Sequence, residues 1–426
     1  MGYIVATAVS VISIVLFLYC VVYAVIKFTA DFKNRSYAKE SEPELLSLNK
    51  QEDRRKKFRR FLLIALITVA TRFFIYVIGY YAYCTWYGVN HEFAFFTRIF
   101  ARSDAPHYLD IATEGYVQYG LNRYWLVFLP LYPWSVGLVN ALFNDLYFSA
   151  YLVSNVYLCI AAYYLFETVN DFYGKKAGKW AVALLLLYPA SFFYAGPFSE
   201  SLFIMVCILV FYNIHRGNIF SACVFGFFAA LTRNIGVFLA IPIGIEILLK
   251  YNPFYSRDWK TFIKKALWLL IIPIGTLIYL YLNYKVSGNP LKFLTYEQEY
   301  WGQKTALFFD SVYRLTYYML HPYVYTKWTH VFPQLAAIFF TQIVMVLYAK
   351  KMRTSHLIFS LIYFQMTIGL TALLSAPRYL MVLVPIYYVL ADTCSKNKKA
   401  AIIISGVFFA YLVFLTCAFA IGFPIY

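Results

Sequence analysis

Ser103-Asp104-Ala105-Pro106-His107-Tyr108-Leu109-Asp110-Ile111-Ala112-Thr113-Glu114-Gly115-Tyr116 is a polar, acid-bearing stretch, and Phe128-Leu129-Pro130-Leu131-Tyr132-Pro133 follows it closely. It comes just after a long apolar run at 61–83. Ionisable side chains beside hydrocarbon are costly to keep, so the cluster of Asp104, His107, Asp110 and Glu114 calls for a functional explanation. The loop is the first candidate for an active site.

The rest of the chain is built for lipid. Of its 426 residues, 62% are hydrophobic and 13% charged, and the mean hydropathy is +0.63. That is more apolar surface than one water-soluble core hides. Apolar runs of roughly 20 residues, the length that crosses a bilayer as a helix, recur along the chain. The ten-residue alternation of a membrane β-barrel is absent. The fold class is therefore an all-α polytopic membrane protein. Residues 1–28 read as a retained first span, because no basic leader or small-residue cleavage site accompanies them. The seven cysteines are scattered without ligand or redox spacing and read as core fillers.

The formal charge of +17 does not point to nucleic acid, because the basic residues sit in short clusters between apolar runs. Residues 27–60 hold eleven Lys or Arg against six Asp or Glu, which marks the cytoplasmic side. Further clusters stand at Lys175-Lys176, His215-Arg216, Lys250 to Lys265, Lys350-Lys351 with Arg353, and Lys396 to Lys399. Spans near 1–28, 61–83, 147–168, 180–195, 200–214, 219–232, 235–249, 266–284, 331–349, 356–374, 379–392 and 400–421 keep every cluster inside. This gives about 12 crossings, or 13 if 125–143 also crosses. Pro130 and Pro133 remove backbone donors from that piece, so it is expected to enter only partway or to lie along the outer boundary, covered by protein.

Alternation then places the 84–124 loop, Ser199-Glu200-Ser201, Arg233-Asn234, the 285–330 loop and Pro377-Arg378-Tyr379 on one extracytoplasmic face. Asp104 suits a general base that takes a proton from an attacking hydroxyl. Equally, Asp104 before Pro106 suits the N-cap of a helix over 105–115. His107 and Asp110 follow at helical spacing and suit hydrogen bonding to substrate. A divalent metal is the lesser reading, since Asp-x-x-His-x-x-Asp is not a specific ligand signature. Glu200 is either a functional acid or a charge at a helix N-terminus. Arg233 and Arg378 suit phosphate oxygens, with snorkelling as the plain alternative. Arg72, in the middle of a span, is expected to pair with an acid or a bound anion. Tyr296, Tyr300 and Trp301 could stack on a sugar or line a lipid tail, while Glu297 and Glu299 read as solvated. Soluble-nucleotide loops and zinc-hydrolase patterns are absent.

The loop motif, Phe128 to Pro133, Ser199-Glu200-Ser201-Leu202-Phe203, Thr232-Arg233-Asn234-Ile235-Gly236 and Pro377-Arg378-Tyr379-Leu380 with Pro385 resemble, in this order, the PIG-V-like mannosyltransferase family. The resemblance covers about residues 60–395. Ser103 stands where that family has Trp, and Asn234 where it often has Pro. It implies a GT-C glycosyltransferase fold and the inverting transfer of a hexose, typically mannose, from a polyprenyl-phosphate carrier of the dolichyl-phosphate type. Asp104 would be the catalytic base, and His107, Asp110, Tyr132, Glu200, Arg233 and Arg378 would contact substrate. The acceptor would be a hydroxyl of a glycan, glycolipid or protein, and no cofactor is required.

On this reading, residues 1–60 add a span and a basic linker to the core of 61–284. The 285–330 loop and the helices of 331–426 complete the chain, in what reads best as a bacterial cell membrane. A transporter or flippase of lipid-linked sugars is the main rival. It would favour two related halves, which the sequence lacks. A noncatalytic scaffold is the weaker rival, because charged groups this near hydrocarbon are rarely kept for docking alone.

Overall fold

The computed structural model describes residues 2–34, 53–89 and 96–425. Residues 35–52 of the basic linker lie outside the described residues, as do residues 90–95 of the 84–124 loop. The principal helices are α1 (Gly2–Lys33), α2 (Arg54–Tyr87), α3 (Ala105–Glu114), α4 (Leu131–Phe143), α5 (Leu146–Leu187), α6 (Glu200–His215), α7 (Ile219–Thr232), α8 (Ala240–Lys250) and α9 (Ile271–Ser287). They continue with α10 (Lys292–Trp301), α11 (Phe308–Leu320), α12 (Phe332–Tyr348), α13 (Thr354–Ile368), α14 (Ala376–Leu380), α15 (Val384–Lys396) and α16 (Lys398–Ala420). Among the described residues, strand-type pairing is limited to an isolated bridge between Thr305 and Leu370. The chain is an all-α integral membrane protein.

Seven helices among the described residues are long and apolar enough to cross a bilayer unaided. The other expected crossings differ for physical reasons. The spans read at 147–168 and 180–195 are joined in α5, which breaks only at Gly174, where φ is +81°. Helices α6, α7, α13 and α15 are apolar but have 16, 14, 15 and 13 residues, short of the roughly 20 that lipid demands of a straight span. Fifteen residues of α6 are buried, so protein rather than lipid surrounds it. The proline-bearing piece is no straight span either. A 3₁₀ segment, Leu121–Val127, meets α4 at 113°.

Arg72 departs from its expected partner. Its guanidinium donates to Ser191 O and Ser191 Oγ, both at 2.9 Å, and to Leu186 O. A helix end leaves carbonyls without intrahelical donors, and Arg72 satisfies them where α5 ends. No acid is needed. All seven cysteines are unpaired thiols, six of them buried.

Helix α6 separates two polar clusters. At its C-terminal end His215 lies against Arg353 and His356, with the Arg353–Glu246 and Arg216–Asp171 pairs alongside. At its start stands Glu200. Fifteen steps of 1.5 Å put about 22 Å between them. The basic loops that gather around His215 thus lie at the opposite end of α6 from Glu200.

Candidate functional site

Ser103 has φ +57°, a left-handed conformation costing about 1–2 kcal/mol for a residue with a Cβ. The next residue, Asp104, takes the N-cap position of α3, and Pro106 sits in the first turn. Yet the Asp104 side chain makes no capping hydrogen bond. It turns instead to Arg378, whose Nη1 donates to Asp104 Oδ2 at 2.6 Å. The cap explains the position of Asp104 but not the direction of its carboxylate.

Neighbouring elements hold that loop in place. Gly137 of α4 packs so near α3 that an added Cβ would lie 2.8 Å from Ala112 O. Tyr132 is fully buried, with its hydroxyl on Ser154 Oγ at 2.8 Å and its ring edge-on to Tyr108 at 5.2 Å. Its place is beneath the site. Tyr108, one turn beyond Asp104, meets Ser199 Oγ at 2.9 Å through its own hydroxyl. This contact ties the start of α3 to the start of α6, and so Asp104 to Glu200. Burial raises the Tyr108 phenol pKa, which keeps it a neutral hydrogen-bonding group.

Glu200 opens α6, as a helix-starting acid would, while Ser199 at the N-cap makes no side-chain cap. The Glu200 side chain has no solvent exposure, and its Oε1 accepts from Arg378 Nε at 2.5 Å and from Arg233 Nη1 at 2.6 Å. Arg378 lies against the rings of Phe193 and Phe198, 4.9 and 5.0 Å from their centroids. The result is a line of alternating charge, Arg233–Glu200–Arg378–Asp104, drawn from four separate segments. Its two inner members are 0% and 3% exposed, and its two ends 22% and 23%. Asp104 and Arg233 are therefore the members that reach solvent, and Arg378, expected as a phosphate contact, is a buried bridge between two carboxylates.

Arg233 comes from an extended residue, φ −150° and ψ 144°, between α7 and a 3₁₀ turn, Asn234–Leu239. Gly236 makes that turn fit. A Cβ there would lie 2.1 Å from Ala229 O.

His107 and Asp110 point to Trp125 rather than to Asp104. The His107 ring stacks on Trp125 at 3.5 Å, and Trp125 Nε1 donates to Asp110 Oδ2 at 3.2 Å. Of the three polar side chains of Asp-x-x-His-x-x-Asp, Asp104 thus turns to Arg378 while His107 and Asp110 share Trp125. Burial lowers the His107 pKa, against the opposing pull of Asp104 and Asp110. Across the loop, Trp301 of α10 packs on Phe128 at 5.7 Å and on His107 at 6.4 Å. Glu297, read from sequence as solvated, is half-buried, and burial pushes its carboxyl up to about 7. The signal for it was the spacing Phe293, Glu297, Trp301, which places the acid on an aromatic helix face.

No family model matches the chain, and no curated protein matches it. Among solved structures it is similar to ArnT from Cupriavidus metallidurans bound to undecaprenyl phosphate. The sequence identity is 15% and the TM-score 0.47, over 84% of this chain and 69% of that one.

Proposed function

We propose that this protein is a GT-C-type, PIG-V-like glycosyltransferase. It moves a hexose, mannose in the first instance, from a polyprenyl-phosphate carrier to an acceptor hydroxyl at the extracytoplasmic face of a bacterial cell membrane. The observation that carries the reading is the direction of Asp104: a carboxylate placed at a helix N-cap that leaves the cap unmade and instead ends a line of ion pairs.

Asp104 takes the proton of the acceptor hydroxyl as its oxygen attacks the anomeric carbon. The carbon–oxygen bond to phosphate breaks on the opposite face, its electron pair leaves with polyprenyl phosphate, and the anomeric configuration inverts. The charge line couples these events. With Asp104 ionised, the two carboxylates balance the two guanidiniums. Once Asp104 holds the proton, Arg378 has one fewer negative neighbour, and the line gains a net positive charge as the phosphate acquires negative charge. A preorganised charge of this kind stabilises the transition state more than the ground state. Arg233, the arginine that reaches solvent, contacts the phosphate.

Helix α6 separates this site from the basic cluster around His215, which supports the outward placement of Asp104 by the positive-inside rule. The test is to incubate purified protein with polyprenyl phosphates bearing mannose, glucose or galactose and a mixture of glycan and glycolipid acceptors. Release of polyprenyl phosphate with a new glycosidic bond of inverted configuration is expected. Movement of labelled lipid across a vesicle without bond formation would overturn the reading in favour of a flippase.

A further inference from the structure

Helix α10 carries chemistry that the transfer step leaves unused. Phe293, Glu297 and Trp301 share one face of it. Phe293 packs on Tyr279 at 5.2 Å, and Trp301 meets His107 and Phe128. The face that holds Glu297 therefore turns toward the loop that presents Asp104. Among the described residues the Glu297 carboxylate has no hydrogen-bond or ion-pair partner, and partial burial pushes it up to about 7. On α3, next to Trp301, His107 Nδ1 is shut from solvent without a partner of its own. Buried polar atoms are normally bonded, and one left over beside a candidate site calls for a partner such as water or a ligand.

We propose that Trp301, Glu297 and His107 form the subsite for the pyranose ring of the transferred hexose. The inference rests on Asp104 being the base. His107 follows Asp104 by three residues, about 4.5 Å of helical rise, so a sugar attacked beside Asp104 lies within reach of His107. A pyranose has polarised C–H groups on its faces and hydroxyls at its rim. The negative face of an indole suits the first; a carboxyl and an imidazole, each able to donate and accept, suit the second. A carboxyl that is largely protonated below pH 7 also places little negative charge beside the donor's phosphate, which an ordinary glutamate would repel.

Steady-state kinetics on full-length protein test the subsite, using whichever of the mannosyl, glucosyl and galactosyl polyprenyl phosphates the wild type consumes. Trp301→Ala and Glu297→Gln are each expected to raise the donor KM at least tenfold, with Trp301→Phe restoring most of the loss. Sugar-free polyprenyl phosphate should inhibit all variants at the wild-type concentration, because it makes no contact with this subsite. Glu297→Gln should also flatten the pH dependence of the donor KM around 7. Wild-type KM values in both variants, with Asp104→Asn inactive, would overturn the subsite and leave the base in place. Undiminished turnover in Asp104→Asn would instead overturn the base, and with it the subsite. Should Trp301→Ala fail to fold, Glu297→Gln alone decides, since it preserves shape.

Discussion

Arg378 Nη1 lies 2.6 Å from Asp104 Oδ2, joining residues 274 positions apart. The same guanidinium holds Glu200, so the proposed base, the buried acid and both arginines form one electrostatic unit. Removing any member changes the others, but by different amounts.

Glu200→Gln is predicted to be the more damaging to stability. Glu200 is wholly buried and is the shared partner of two arginines. Its loss leaves buried positive charge uncompensated, at a cost of about 3–5 kcal/mol. Asp104→Asn removes a charge that is 23% exposed and leaves Arg378 on Glu200, so it should unfold closer to wild type. Thermal unfolding of the two variants in the same detergent compares them. Equal melting temperatures would contradict the buried-bridge description of Glu200.

Gly236→Ala is predicted to lower donor affinity without touching a ligand. The new Cβ would meet the backbone of Ala229 and Ala230 at 2.1–2.6 Å. The chain must shift there, carrying Arg233 off Glu200. The expected signature is a raised KM for the polyprenyl donor together with a lower melting temperature. Unaltered values of both would show that Arg233 tolerates the shift.

Ser103→Gly is predicted to stabilise the loop. Ser103 holds φ +57°, which glycine adopts without the Cβ penalty of about 1–2 kcal/mol. Part of that gain is offset by glycine's greater freedom in the unfolded chain. Turnover should persist, because the Ser103 side chain has no part in the transfer; Ser103→Val should reduce both stability and rate. A less stable glycine variant would mean that the serine side chain makes a contact worth more than the strain.

Acidification is predicted to weaken the fold through His107. Burial lowers its pKa from the ordinary 6.5, so the unfolded chain binds the proton first as pH falls. The stability it contributes is present above about 6.5 and is lost as pH drops through the lower, folded value. His107→Gln, followed by thermal unfolding across that range, should reduce the slope. An unchanged slope would place the titrating group elsewhere.

Much of this was legible in the sequence. Asp104, Glu200, Arg233 and Arg378 stand out because each is charged within or beside an apolar run, and short motifs flag the turns that carry them. The helical order followed from hydropathy and from the basic loops. What could not be read was pairing. Nothing near Arg378 says that Asp104 and Glu200 are its partners, so its place as a buried bridge emerges only from the fold. Arg72 misled for a related reason: sequence shows the cost of its charge but not the carbonyls at the end of α5 that satisfy it. Glu297 was overlooked because its neighbours Gln298 and Glu299 are polar, and only the four-residue spacing to Trp301 hinted at a shared face.

The most direct measurement sets donor binding beside turnover in Asp104→Asn, using the polyprenyl-phosphate hexose that the wild type consumes. A base that acts only in the transition state predicts donor affinity near wild type and turnover lower by roughly 10²–10⁴-fold. Wild-type turnover in that variant would contradict the account.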